Sequence, residues 1–230
     1  MSHGSVTPKG SLGLRRISAP PQRPAIATVE DALRAASPRR SLLRGAVDRW
    51  KASNLRDHFD RSLADMERFQ RGELPMLGQL WLRKVDARGR VADLGLVSCR
   101  VVTNAGVAYI VDAFQNLAEL ENLRYHGVGT GTAAEAATNT ALGTELTTQY
   151  ATANTRPTGT TGEQSGQTNV YETTATITVS AAAALTEHGI FSQAATGGGT
   201  LLDRSVFAVV NLGATESLQS TYRLTIPSGG

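Results

Sequence analysis

Residues 168–226 read TNVYETTATITVSAAAALTEHGIFSQAATGGGTLLDRSVFAVVNLGATESLQSTYRLTI. Apolar and small polar residues alternate along this stretch with the period of two that marks half-buried β-strands. Strands are predicted over 170–179, 186–191, 200–209 and 218–226, separated by turns such as Gly197-Gly198-Gly199 and Gly213-Ala214-Thr215. The pattern predicts a two-layer sandwich in which Leu202, Val206, Val209, Leu224 and Ile226 face the core. Asp203, Ser205 and Arg223 would then occupy the opposite faces. Leu202 and Phe207 have opposite parity, so their strand must be covered on both sides or carry a bulge.

Upstream, strands over 79–85 and 91–97 flank the turn Asp86-Ala87-Arg88-Gly89, and 96–102 can extend the second. Residues 104–120 read as a helix capped by Asn104, with Val107, Ile110, Val111, Phe114 and Leu117 on one face. A short strand over 125–128 enters Gly127-Val128-Gly129-Thr130-Gly131. A Thr/Ala/Gly-rich excursion then runs to Thr168, with a short element expected at 140–150.

The N-terminal third is different. Residues 1–38 contain Pro8, Pro20, Pro21, Pro24 and Pro38 with few large apolar side chains, which predicts an extended arm that orders only on a partner. Residues 39–74 form an amphipathic helical segment. Leu43, Val47, Trp50, Leu55, Phe59, Leu63, Met66 and Phe69 recur at three- and four-residue steps, and the single five-residue step near Ser53–Asn54 marks a kink or break. Gly72 and Pro75 stop the helix. Trp50, Leu55, Phe59, Leu63 and Met66 are the expected contact stripe, for the chain's own body or for a neighbouring subunit. The fold class is thus mainly β: a sandwich or jelly-roll-like body over 75–230 with one inserted helix near 104–120, preceded by a basic arm and a long helix.

Charge follows the same division. Residues 1–72 hold 14 Lys+Arg against 7 Asp+Glu, and residues 126–230 hold 3 against 7. A basic head on a mildly acidic body points to a negatively charged partner. Arg outnumbers Lys in the head by 12 to 2, and its aromatics lie on the apolar stripe instead of between basic residues. Both features favour carboxylates on a protein surface over nucleic acid. Arg15, Arg16, Arg23, Arg39 and Arg40 are the expected contacts. Cys99 is the only cysteine, which excludes an intramolecular disulfide and predicts a buried thiol. No secretory signal and no membrane-spanning run is expected.

No motif for catalysis stands out. Gly127-Val128-Gly129-Thr130-Gly131 lacks the Lys-Ser/Thr of a P-loop and the βαβ context of a dinucleotide turn, so it reads as a strand end entering a loop. His3, His58, His126 and His188 share no metal-ligand spacing. No GxSxG elbow occurs, and the carboxylates of the body are dispersed. No cofactor and no metal is expected.

Three phrases carry a family resemblance. They are Val101-Val102-Thr103-Asn104-Ala105-Gly106; Gly127-Val128-Gly129-Thr130-Gly131-Thr132 with Ala137-Thr138-Asn139-Thr140-Ala141-Leu142; and Glu187-His188-Gly189-Ile190-Phe191 followed by Leu201-Leu202-Asp203-Arg204-Ser205-Val206-Phe207. Together they resemble segments of tailed-bacteriophage structural proteins, with Asn139 where Asp is commoner. The resemblance spans about residues 96–226. It implies a non-enzymatic virion component that joins other virion proteins, such as the major capsid protein, and forms homo-oligomers. Capsid decoration is the leading reading, a tail, neck or fibre-attachment role the second, and a glycan-binding β-sandwich the third.

Overall fold

The computed structural model describes residues 56–100 and 102–227, with side chains from Asp60 onward. Among the described residues, eight strands form two antiparallel sheets packed as a sandwich. The first sheet has the order β2-β1-β8-β5-β4, from β1 (Leu77–Val85), β2 (Val91–Arg100), β4 (Thr160–Gln164), β5 (Gln167–Thr178) and β8 (Ser217–Thr225). The second has the order β3-β6-β7, from β3 (Tyr125–Gly129), β6 (Ala183–Phe191) and β7 (Leu201–Leu212). All seven strands expected from alternation and turn chemistry are present. β4 is an addition, a polar edge strand in what reads as loop.

The β1–β2 hairpin closes as its turn residues predict. Asp86 Oδ1 accepts the amides of Arg88 and Arg90, each at 2.9 Å, and Gly89 takes a φ of +76°. β8 pairs without a break with β1 on one side and β5 on the other. Its even residues, Leu218, Ser220, Tyr222 and Leu224, are buried against the second sheet while the odd ones are half-exposed. Leu80, Leu82, Ile177 and Leu218 of the first sheet meet Val128, Leu185 and Phe207 of the second to form the main apolar core.

β7 departs from simple alternation. Leu201 through Phe207 are all buried, and bulges interrupt its pairing with β6. Both explanations offered by the Leu202–Phe207 parity hold together. The face assignment is the reverse of the predicted one, however. Asp203 and Ser205 point between the sheets, paired in register with Ile190 and His188, while Val206 pairs with Glu187 on the outer face. Val209 (53 % exposed) and Ile226 (47 % exposed) do not reach the core at all. Covering β7 on both sides removed the contrast on which the prediction of its faces relied.

Among the described residues, two α-helices lie on this scaffold. α1 (Arg56–Gln70) ends in a Schellman motif: Gly72 N–H bonds Phe69 O, Glu73 N–H bonds Arg68 O, and Gly72 adopts φ +76°. Met66 is buried against Leu77 and Cys99, with Phe69 and Leu96 beside it. α2 (Asn104–Phe114) is shorter than the predicted helix, and its cap is Thr103, whose Oγ1 accepts the Gly106 amide at 2.9 Å. It ends where Asn116 turns left-handed, with the Asn116 and Leu117 amides bonded back to Ala113 O and Asp112 O. Asn104 instead donates its backbone amide to Ala137 O.

Candidate functional site

Two of the three phrases that carry the resemblance meet at one place on the outer face of the second sheet, and the first borders it through the Asn104–Ala137 and Thr103–Leu202 backbone bonds. Glu187 of β6 is 0 % exposed, and four donors converge on its carboxylate. The amides of Gly131 and Thr144 donate to Oε1 at 2.9 and 2.7 Å, and the Gly143 amide to Oε2 at 2.8 Å. Arg204 of β7 completes the set, its Nε 2.9 Å from the same Oε2. Burial alone would push the Glu187 carboxyl up. The Thr144 and Gly143 amides and the Arg204 guanidinium outweigh it and hold the group below its ordinary value. Arg204 in turn donates to Asn139 Oδ1 at 3.2 Å, and the same oxygen accepts the Ala136 amide at 2.9 Å, shaping the turn.

This clasp explains the glycines of 127–131. A Cβ on Gly129 or on Gly131 would lie 2.5 Å from Glu187 Oε1. The sequence is glycine-rich because a carboxylate of the same chain fills the space a phosphate would occupy in a nucleotide loop. Leu142, in the second half of the phrase, is buried with Phe191 and Leu201.

A second ion pair pins the rest of the same covering loop. Arg156, among the most buried side chains, forms a fork with Glu145, donates to Gln193 O and Gly198 O at 3.0 and 2.8 Å, and stacks 3.5 Å above the Phe191 ring. A third network holds α1. Arg100 of β2 lies 2.9 Å from Asp65, Glu135 lies 3.5 Å from Arg61, and the Ser62 hydroxyl accepts the Cys99 amide at 3.4 Å.

Between the sheets lies a polar seam. His126 Nδ1 is 3.1 Å from His188 Nε2 and 2.7 Å from Ser220 Oγ, and His126 Nε2 is 3.1 Å from Thr173 Oγ1. The two histidines, 62 residues apart in sequence, form an edge-on, T-shaped pair with ring centroids 5.2 Å apart. Desolvation holds both imidazoles neutral, His188 down to about 3 and His126 well below its ordinary value, the latter helped by His188. A serine bonded to an imidazole is the geometry of nucleophile activation. Here all of its members are 0 % exposed, so no substrate carbonyl reaches the hydroxyl. Beside the seam, Ser205 Oγ donates to Asp203 Oδ1 at 3.1 Å, and burial raises the Asp203 carboxyl to about 7.

Among the described residues, an apolar face is exposed on α2. On α2 and the following 3-10 turn, Leu120–Asn122, the exposed side chains are Val107 (38 %), Val111 (50 %), Phe114 (83 %), Leu117 (72 %) and Leu120 (46 %). Tyr109 ties the two parts together through a bond from its hydroxyl to Glu119 O at 3.0 Å. Of the face read from the sequence, Val107, Val111, Phe114 and Leu117 therefore point outward. Gly106, Tyr109 and Ile110 do the packing instead, against Leu202 and its neighbours.

Of the residues predicted to bind partners, Arg15, Arg16, Arg23, Arg39, Arg40, Trp50 and Leu55 lie outside the described residues, as does the Phe59 side chain. Met66 is buried in the chain's own body and Leu63 is half-buried. The face of α1 that packs is Ser62, Asp65, Met66 and Phe69, more polar than the stripe suggested. Among the described residues no helix is long and apolar enough to cross a membrane. Comparisons with protein-family models, curated proteins and solved structures return no match.

Proposed function

We propose that this chain is a non-enzymatic structural component of a tailed-bacteriophage virion, a head decoration protein whose basic N-terminal arm runs across neighbouring shell subunits. The observation that carries the reading is the Glu187 clasp. The phrases resembling virion proteins, far apart in sequence, supply Gly131, Asn139, Glu187 and Arg204 to one interlocked unit. Motif residues that bond to one another form one structural unit, which supports a family likeness over a chance likeness of composition. A further feature supports a non-catalytic role: the Ser220–His126 pair is enclosed between the sheets.

A shell under internal pressure gains from clamps that bridge subunits. Exposed arginine pairs contribute about 0–1 kcal/mol each, so Arg15, Arg16, Arg23, Arg39 and Arg40 act through repetition around a symmetric particle. The test is incorporation. Full-length protein tagged at its C-terminus should label the whole head in electron micrographs of particles, and a variant lacking residues 1–40 should not incorporate. Label confined to one vertex would replace decoration by a tail or neck role. Unchanged incorporation of the truncated protein would remove the anchoring role of the arm.

A further inference from the structure

The exposed face of α2 has a period and a charge. Val107, Val111 and Phe114 stand at i, i+4 and i+7, and Leu117 and Leu120 continue the patch. Residues 104–123 contain Asp112, Glu119 and Glu121, all exposed, and no Lys or Arg. An apolar stripe rimmed by three carboxylates fits an amphipathic helix with a basic rim.

The chain contains such a segment. Leu43, Val47 and Trp50 share the same i, i+4, i+7 spacing, and residues 41–53 carry Arg44, Arg49 and Lys51 against Asp48 alone. The spacing break at Ser53–Asn54 separates this stripe from the part of the helix that packs through Met66. We propose that residues 41–53 cover the α2 face of their own chain, Trp50 and Val47 against Phe114, Val111 and Leu117, with the basic rim over Asp112, Glu119 and Glu121.

Tethering favours the chain's own segment over a second copy. α1 packs on β2 and α2 on β7, which are the end strands of the two sheets and lie in contact with one another. With the stripe helical, the six residues from Trp50 to Arg56 still span up to about 20 Å when extended, a short step between elements seated on touching strands. A segment so tethered has an effective concentration on the order of millimolar, far above that of a second molecule in dilute solution. The pairing holds whether or not the protein is a virion component.

Cysteine pairing tests it in the full chain, because Cys99 is buried with its thiol pushed up to about 12 and stays out of the exchange. The variants Trp50→Cys/Phe114→Cys and Val47→Cys/Leu117→Cys should each oxidise to a disulfide of monomer mass, at a yield independent of protein concentration. Trp50→Cys/Thr161→Cys, with the second thiol on the exposed far-edge strand β4, should not. Replacing Asp112, Glu119 and Glu121 by Lys should slow the first reaction severalfold at low salt and much less at high salt. Disulfides only in dimers, fading on dilution, would assign the face to a second copy. No disulfide in either pair, or equal yield in the Thr161→Cys control, would overturn the proposal and leave the face to another protein.

Discussion

Glu187 and Arg204 stand on adjacent strands with carboxylate and guanidinium 2.8 Å apart, and both side chains are almost wholly withdrawn from solvent. A buried pair stabilises little by itself, because desolvation offsets most of the Coulomb gain. What it does here is hold a loop. Removing the charge at position 187 leaves Arg204 without its anion and turns one face of a side-chain amide toward backbone donors. Glu187→Gln should therefore cost about 3–5 kcal/mol, the usual cost of breaking a buried pair, read as a lower denaturant midpoint. A change under about 1 kcal/mol would mean that the pair does not organise the loop.

The glycines around this carboxylate provide a paired comparison. Gly131→Ala places a methyl group 2.5 Å from Glu187 Oε1, and Gly162→Ala on the edge strand meets nothing within 4 Å. The first should lose about 1–3 kcal/mol by overpacking. The second should be neutral or slightly stabilising, since its backbone conformation suits any residue. Equal effects at both positions would contradict the clasp geometry.

Met66 settles what α1 belongs to. It is 8 % exposed and seated against Leu77 and Cys99, so Met66→Ala should cost about 2–4 kcal/mol in the isolated protein. The same substitution should make Cys99 react with thiol reagents under conditions where the native protein does not, because its shield is gone. If stability and thiol reactivity both stay unchanged, α1 packs elsewhere in solution.

The strands were legible because their apolar positions alternate and their turns carry Gly, Asp and Asn, signals that depend only on neighbours in sequence. β4 was not, since TTGEQ is exposed along nearly its whole length and an edge strand without an apolar face has no periodicity to read. The α2 stripe was legible but its direction was not: i, i+4, i+7 spacing marks one face, not what covers it. Glu187, Arg204 and the glycine loop were singled out as phrases. Their meaning lay in pairings such as Gly131–Glu187, 56 residues apart. The His126–His188 contact was invisible for the same reason, and the parity of β7 misled because both of its faces are buried.

That buried seam makes stability depend on pH with opposing signs. His126 and His188 have folded values below the ordinary 6.5, so their contribution is complete above 6.5 and is lost as pH falls toward about 3 for His188. Asp203 is raised from 3.8 to about 7; its contribution is complete below 3.8 and is lost as pH rises toward 7. Between about 4.5 and 6.5 the two histidines outweigh the single aspartate, and stability should rise with pH by up to about 1.4 kcal/mol per unit for the one proton of difference. Above that window only the aspartate acts, so stability should pass through a maximum and decline slightly toward pH 7. Asp203→Asn keeps the shape and cannot ionise. Its denaturation midpoint relative to wild type should therefore improve from pH 5 to pH 8. A difference that stays constant across this range would show that Asp203 does not titrate between the sheets.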